Sequence, residues 1–257
     1  MTGVATGLIT APLLPVPHGF TTRQGGISRG CYRSLNLGLS TGDSRRRVWE
    51  NRRRVLEHFG FGPEQACLLK QVHGSRVVEA AQGWYEIAAD ASMTDRSDVL
   101  LVISVADCAP LLFLDPVNRA VAAAHAGWRG TAAGIAGNVV AAMRTSYGSD
   151  PATMKVAIGP CIGADNYQVG TEVHEAFLRA GFSDGLFAAD GDGRYRFDLA
   201  AANRMALLEH GLREANIWQA DACTYGDGGR FYSHRRDGQR RGAHWAVIRL
   251  PAAAQGA

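Results

Sequence analysis

Apolar and polar positions along the chain repeat with two different periods, and the changes of period mark out its elements. Residues 44–59 carry Val48, Val55, Leu56 and Phe59 on one helical stripe. Asp43 or Ser44 suits the helix start, and Gly60 can close its end in a left-handed conformation. Arg52 falls on that stripe, while Arg45, Arg46, Arg47 and Arg53 mostly fall off it. A short apolar stretch over 67–72 ends at His73, and a β-branched run over 99–105 reads as a strand buried on both faces. A second strand is expected over 111–114, followed by a proline turn over 115–118. A third is expected over 120–124, ending at His125, although its alanines are poor strand formers.

The second half alternates similarly. Gly127-Trp-Arg-Gly130 reads as a loop, with a helix over 131–147 closed by Gly148. A strand over 155–158 leads into a glycine-rich loop over 159–170, and Thr171 is the expected cap of a helix reaching Ala180. Asp190 to Gly193 form a hairpin turn, and Asp198 caps a helix to His210 that Gly211 closes. Late strands are expected over 231–234 and 244–250. Strands and helices mixed without strict βαβ alternation predict an α/β (α+β) layered sandwich with a mixed sheet. No repeat or long linker divides the chain, so residues 1–257 are read as one domain with a frayed tail over 251–257.

Composition narrows the function classes. Net charge is +3, too mild to indicate a nucleic-acid binder. The chain contains five Cys and no C-x-x-C pair, which argues against a disulfide framework and a zinc ribbon and for a reducing compartment. The first fifteen residues are apolar but lack a basic start, and no apolar run is long enough to span a membrane. A cytoplasmic protein without a cleaved signal is expected, as a monomer or weak homo-oligomer.

Candidate chemistry gathers at the expected strand ends. His73 follows one strand, Cys108 sits in the break between two, and His125 ends another. Imidazole, thiolate and imidazole suit zinc or copper, and three protein ligands leave a tetrahedral position open. Against this, a buried Cys is usually a small hydrophobe, and the spacing matches no short zinc signature. Asp107 can orient a ligand, act as general acid or base, or simply form the turn. The Gly127–Gly130 segment with Arg129 can hold an anion or cap a helix. An arginine on an apolar stripe needs a partner, so Arg52 requires either a carboxylate or a bound substrate. Asn36 lies in Ser34-Leu-Asn-Leu-Gly38, with room for a side-chain contact. Arg235, Arg236, Arg240 and Arg241 surround Asp237-Gly238 and read as a solvated hairpin tip.

Taken in order, Gln71-Val-His-Gly74, Ala106-Asp-Cys108 and His125-Ala-Gly-Trp-Arg-Gly130 resemble the YfiH-like family. That family is variously described as purine nucleoside phosphorylase, polyphenol oxidase or peptidoglycan editing factor. His18-Gly-Phe-Thr-Thr-Arg-Gln-Gly-Gly26, Glu50-Asn-Arg-Arg53, Ile158-Gly-Pro-Cys-Ile-Gly163 and Tyr167-Gln-Val-Gly170 extend the likeness over nearly the whole chain. The resemblance implies a fold shared with Cys–His toxin deamidases, and zinc, alternatively copper, on His73, Cys108 and His125. It implies purine nucleoside and phosphate as substrates, with phosphorolysis of adenosine, inosine and methylthioadenosine and deamination of adenosine. Carried onto matching motifs, Asn36, Arg52, Gln71 and Arg129 become candidate substrate or phosphate contacts, and Asp107 and Cys108 candidate catalytic groups. A Cys–His hydrolase using Cys108 and His125 has the same residues. A multicopper oxidase fits poorly, because the chain has 8 His and no His-x-His pair. The late turn departs from the family, where Thr-Gly-Arg often follows Arg-Arg-Asp-Gly; here the order is Gln239-Arg-Arg-Gly242.

Overall fold

The computed structural model describes residues 7–80 and 87–252. The start of the apolar N-terminal stretch (1–6) and most of the expected frayed tail (253–257) lie outside the described residues. In chain order the first elements are β1 (Leu8–Ile9), β2 (His18–Thr21), α1 (Arg45–His58), β3 (Ala66–Leu68), β4 (Val77–Glu79) and β5 (Ala91–Thr94). The central elements are β6 (Leu100–Val105), β7 (Ala109–Asp115), β8 (Ala120–Ala126), α2 (Trp128–Ala132), α3 (Ile135–Tyr147) and β9 (Lys155–Ile158). Next come β10 (Gln168–Gly170), α4 (Thr171–Arg179), β11 (Phe187–Ala189), β12 (Arg194–Phe197) and α5 (Leu199–Glu209). The chain ends with β13 (Ile217–Gln219), α6 (His234–Asp237) and β14 (His244–Ile248).

The architecture is the expected layered α+β sandwich, but it has two main mixed sheets rather than one. A five-stranded sheet runs β1-β2-β14-β6-β3, and a six-stranded sheet runs β13-β9-β7-β8-β5-β4. A small antiparallel sheet, β10-β12-β11, flanks them. Strand periodicity explains the layering. Leu101, Ile103 and Val105 of β6 join Leu112, Leu114, Val121 and Ala123 between the sheets. Leu100 and Val102 face the other way, onto Val55, Leu56 and Phe59 of α1. Leu111 and Phe113 of β7 pack toward Val139, Val140 and Met143 of α3. Both faces of the central strands are therefore covered, which is why their sequences are apolar at nearly every position. The alanines of β8 fit this packing. Ala122, Ala124 and Ala126 are fully buried on the helical side, where short side chains let α3 approach the sheet.

Several local expectations need correction. α2 begins at Trp128, so Gly127-Trp-Arg-Gly130 is a helix start rather than a loop. Gly134, at φ +80°, then breaks the expected single helix in two, because a left-handed residue cannot continue a right-handed turn. Gly170, not Thr171, caps α4. The segment expected as a strand over 231–234 is instead irregular chain leading into α6, whose cap Ser233 accepts a hydrogen bond from the Arg236 amide. The basic turn is thus a one-turn helix, and part of it faces a cavity.

Candidate metal centre

The chain passes from the first sheet to the second over Ala106, Asp107 and Cys108, between β6 and β7. Asp107 makes that crossing with φ +91°. His125 has the strand parity of Val121 and Ala123, so its ring lies on the inter-sheet side at the end of β8. His73 sits on a turn beyond β3, at φ +59°. The three meet at the mouth of the sandwich. Their ligand atoms all lie within 4.8 Å of one another, and the two imidazoles are 4.7 Å apart between ring centroids.

One residue that the sequence did not single out holds this arrangement. Asp90 is completely buried. Its Oδ1 accepts from His125 Nδ1 at 2.7 Å and from the His73 amide at 2.9 Å. Its Oδ2 accepts from the amides of Val72 at 3.1 Å and Gly74 at 2.8 Å. A single carboxylate thus shapes the His73 turn and orients the His125 ring with Nε2 toward the cluster. Asp90 immediately precedes β5, and Ala91 pairs with Ala124 of β8, which brings it opposite His125. The only signal in the sequence was an acidic residue just ahead of a short Ala-Ser-Met-Thr strand.

Electrostatics prepares the thiol. Burial opposes ionisation of Cys108, but the adjacent His125 and His73 outweigh it and bring its pKa down to about 6. Burial likewise opposes the charge on His125, while the Cys108 thiolate and Asp90 raise its pKa. Burial works against the Asp90 charge too, yet the hydrogen bonds from His125, Gly74 and Val72 keep its carboxyl below the ordinary value. The donor set therefore fits a borderline transition metal: a ready thiolate, two imidazoles, an anchored second nitrogen on His125 and three ligands rather than four. Cys161 and Cys223 do not join the cluster. Gly127 leaves the necessary room, since a Cβ there would lie 2.9 Å from both Cys108 Sγ and His73 Nδ1.

Two cavities meet at this cluster and share His73, Ala106, Cys108 and Arg241. The first, of about 460 Å³, is walled by Trp128, Arg129, Tyr167 and Arg235. The second, of about 500 Å³, is walled by Arg52, Lys70, Gln71 and Ser104. A larger depression of about 830 Å³ runs along the outer face of α1 but contains none of the three ligands.

The remaining candidates separate. Arg129 faces the first cavity, with its guanidinium 4.2 Å from the Trp128 ring. Arg52 lines the second and is buried, as its place on the stripe predicted. Its Nε donates to Leu37 O, and its guanidinium lies 5.0 Å from the Trp245 ring, so aromatic faces and a carbonyl surround the charge. Burial brings its pKa down to about 10. Gln71 also lines the second cavity, but its amide bonds both Ser104 N and Ser104 O at 2.8 Å, extending the β3–β6 pairing.

Two further candidates have side chains engaged by the protein itself. Asn36 is fully buried and lines neither cavity. Its Oδ1 accepts from the Gly38 and Ala243 amides and its Nδ2 donates to Thr41 and Asp43, so the side chain is committed to its own loop. Asp107 reaches the first cavity, but its carboxylate accepts from Thr224 Oγ1, Ser233 Oγ and the Arg235 amide. That geometry makes it an anchor for the segment around α6.

Over residues 17–251 the chain matches the family described as multi-copper polyphenol oxidoreductase laccase. A purine nucleoside phosphorylase of Deinococcus radiodurans is 44% identical over 253 residues, covering 98% of this chain and 96% of that protein. The purine nucleoside phosphorylase YfiH of Escherichia coli is 35% identical, covering 89% of this chain and 93% of that protein. The crystal structure of YlmD from Geobacillus stearothermophilus superposes with a TM-score of 0.88 at 36% identity, covering 95% and 96% of the two chains. With fold and sequence in agreement over nearly its full length, this chain belongs to the YfiH-like laccase-domain family.

Proposed function

We propose that this protein is a purine nucleoside enzyme acting at a single metal ion held by His73, Cys108 and His125. The observation that carries the reading is the meeting of these ligand atoms within 4.8 Å at the junction of two cavities. Relatives named purine nucleoside phosphorylase, covered almost end to end, supply the substrate class. The reactions are phosphorolysis of adenosine, inosine and methylthioadenosine, and deamination of adenosine. In phosphorolysis the ribose C1′–N9 bond breaks, a C1′–O bond to phosphate forms, and the free base leaves. In deamination water replaces the amino group at C6 and ammonia leaves.

Zinc suits the donor set best, and when bound it supplies Lewis acidity beside the substrate. The chain's own residues do the rest. Trp128 and Tyr167 offer aromatic faces to the purine ring, and Arg129 and Arg235 bring positive charge to the same cavity. Asp90 fixes the ligand geometry. A proton-shuttling role fits Asp107 poorly, because three donors hold its carboxylate as an acceptor. The test is incubation of the protein with inosine and phosphate, following hypoxanthine. Release above a His73→Ala control is expected, and none above it removes the reading.

The Cys108–His125 pairing favours one alternative, a Cys–His hydrolase that edits peptidoglycan precursors with Cys108 as nucleophile. Iodoacetamide labelling of Cys108 that zinc fails to block would support it. A copper polyphenol oxidase is disfavoured: such a centre needs several imidazole-rich sites, and the described residues hold one such ligand cluster.

A further inference from the structure

Arg241 was expected at a solvated tip, yet it is half-buried and is one of four residues lining both cavities. Its Nε donates to His234 Nδ1 and its Nη1 to Gly242 O, each at 3.2 Å. Neither partner is an anion, and among the described residues its guanidinium forms no ion pair. Most of its five N–H donors therefore remain for a ligand. Burial lowers its pKa, while Asp107, Cys108 and Asp237 act in the opposite direction without any of the three pairing directly with the guanidinium. The second cavity also carries Arg52 and Lys70, and no Asp or Glu lines it. Its polar lining includes Ser40, Gln71 and Ser104, and no Phe, Tyr or Trp lines it. The aromatic faces, Trp128 and Tyr167, belong to the first cavity alone.

We propose that the second cavity is an oxyanion subsite that takes inorganic phosphate, with Arg241 as its specificity-determining residue at the passage to the nucleoside side. The purine then lies against Trp128 and Tyr167, and the ribose C1′ sits at the junction beside His73 and Cys108. This division rests on the purine nucleoside reading for the occupant of the first cavity, but the anion chemistry of the second stands on its own residues.

The experiment titrates inorganic phosphate into the whole protein by calorimetry, and separately measures KM for phosphate and for inosine. Arg240→Gln is the control, since it removes the same charge from an exposed neighbour that lines neither cavity. Arg241→Gln is expected to weaken phosphate at least about tenfold, the loss typical of a charge-assisted hydrogen-bond pair, while R240Q stays within about twofold. KM for phosphate should rise in parallel, with KM for inosine within about twofold. Should R241Q not fold, R241K carries the same measurement, because a point charge cannot reproduce the two-pronged contact. Phosphate binding as tight in the Arg241 variants as in the wild type, or no binding by the wild type, overturns the proposal. Arg241-dependent phosphate binding without hypoxanthine release would instead remove the nucleoside reading and leave the anion subsite standing. Hypoxanthine release with an unchanged phosphate KM in R241Q would do the reverse.

Discussion

Asp90→Asn tests the architecture of the centre without touching a ligand. The carboxylate accepts four hydrogen bonds and is completely buried. Asparagine keeps one acceptor oxygen and replaces the other with a donor. Its amide must then face either the Val72 and Gly74 amides or the His125 and His73 pair, so two N–H groups lose their acceptor; the three backbone amides are only partly buried, and the His125 ring is buried. At about 1–3 kcal/mol for a buried unsatisfied group, and less for an amide that water can reach, the variant should lose about 1–3 kcal/mol. Zinc affinity should fall about 10–100-fold, because His125 loses its orienting partner. Urea unfolding of the metal-free protein at neutral pH reads the first quantity, and competition with a chromophoric chelator reads the second. The pH dependence has a definite sign. The native Asp90 carboxyl lies below its unfolded value, so its contribution is complete above about pH 4 and is lost as pH falls through the native value. The gap between wild type and D90N should therefore narrow on acidification. A loss below about 1 kcal/mol together with zinc affinity within about twofold of wild type would refute the role given to Asp90.

Other expectations follow from the same geometry. Gly127→Ala places a Cβ 2.9 Å from two ligand atoms, so zinc retained after dialysis should drop at least about tenfold while circular dichroism stays native. In metal-free protein the alkylation rate of Cys108, mapped by mass spectrometry, should rise with pH to a midpoint near about 6, well below an ordinary thiol, and zinc should suppress it. Asn36→Ala orphans the Gly38 and Ala243 amides and should cost about 2–6 kcal/mol in urea unfolding. Its KM values for inosine and phosphate should stay within about twofold, because Asn36 lines neither cavity; a large rise in either would restore it as a substrate contact.

The amino-acid pattern by itself determined the elements whose cause is local. Helix α1 ends where a residue with no side chain relieves the left-handed turn, and the strands over 100–105 and 155–158 announce themselves by apolar runs in which Ser104 and Lys155 are the polar exceptions. The three candidate ligands stood out as soft donors at expected strand ends, but their spacing alone did not make a metal site the favoured reading; the order of their motifs, which gave the family, did. Tertiary structure alone decided what depends on parity and reach across the chain. It split one expected sheet into two, since an apolar run reads the same whether helices or a second sheet cover it. It brought Asp90 under His73 and His125 through a strand pairing with no local trace. It turned Asn36 inward and Arg241 toward the ligands, because the direction of a polar side chain depends on neighbours distant in sequence, and a string of residues does not record them.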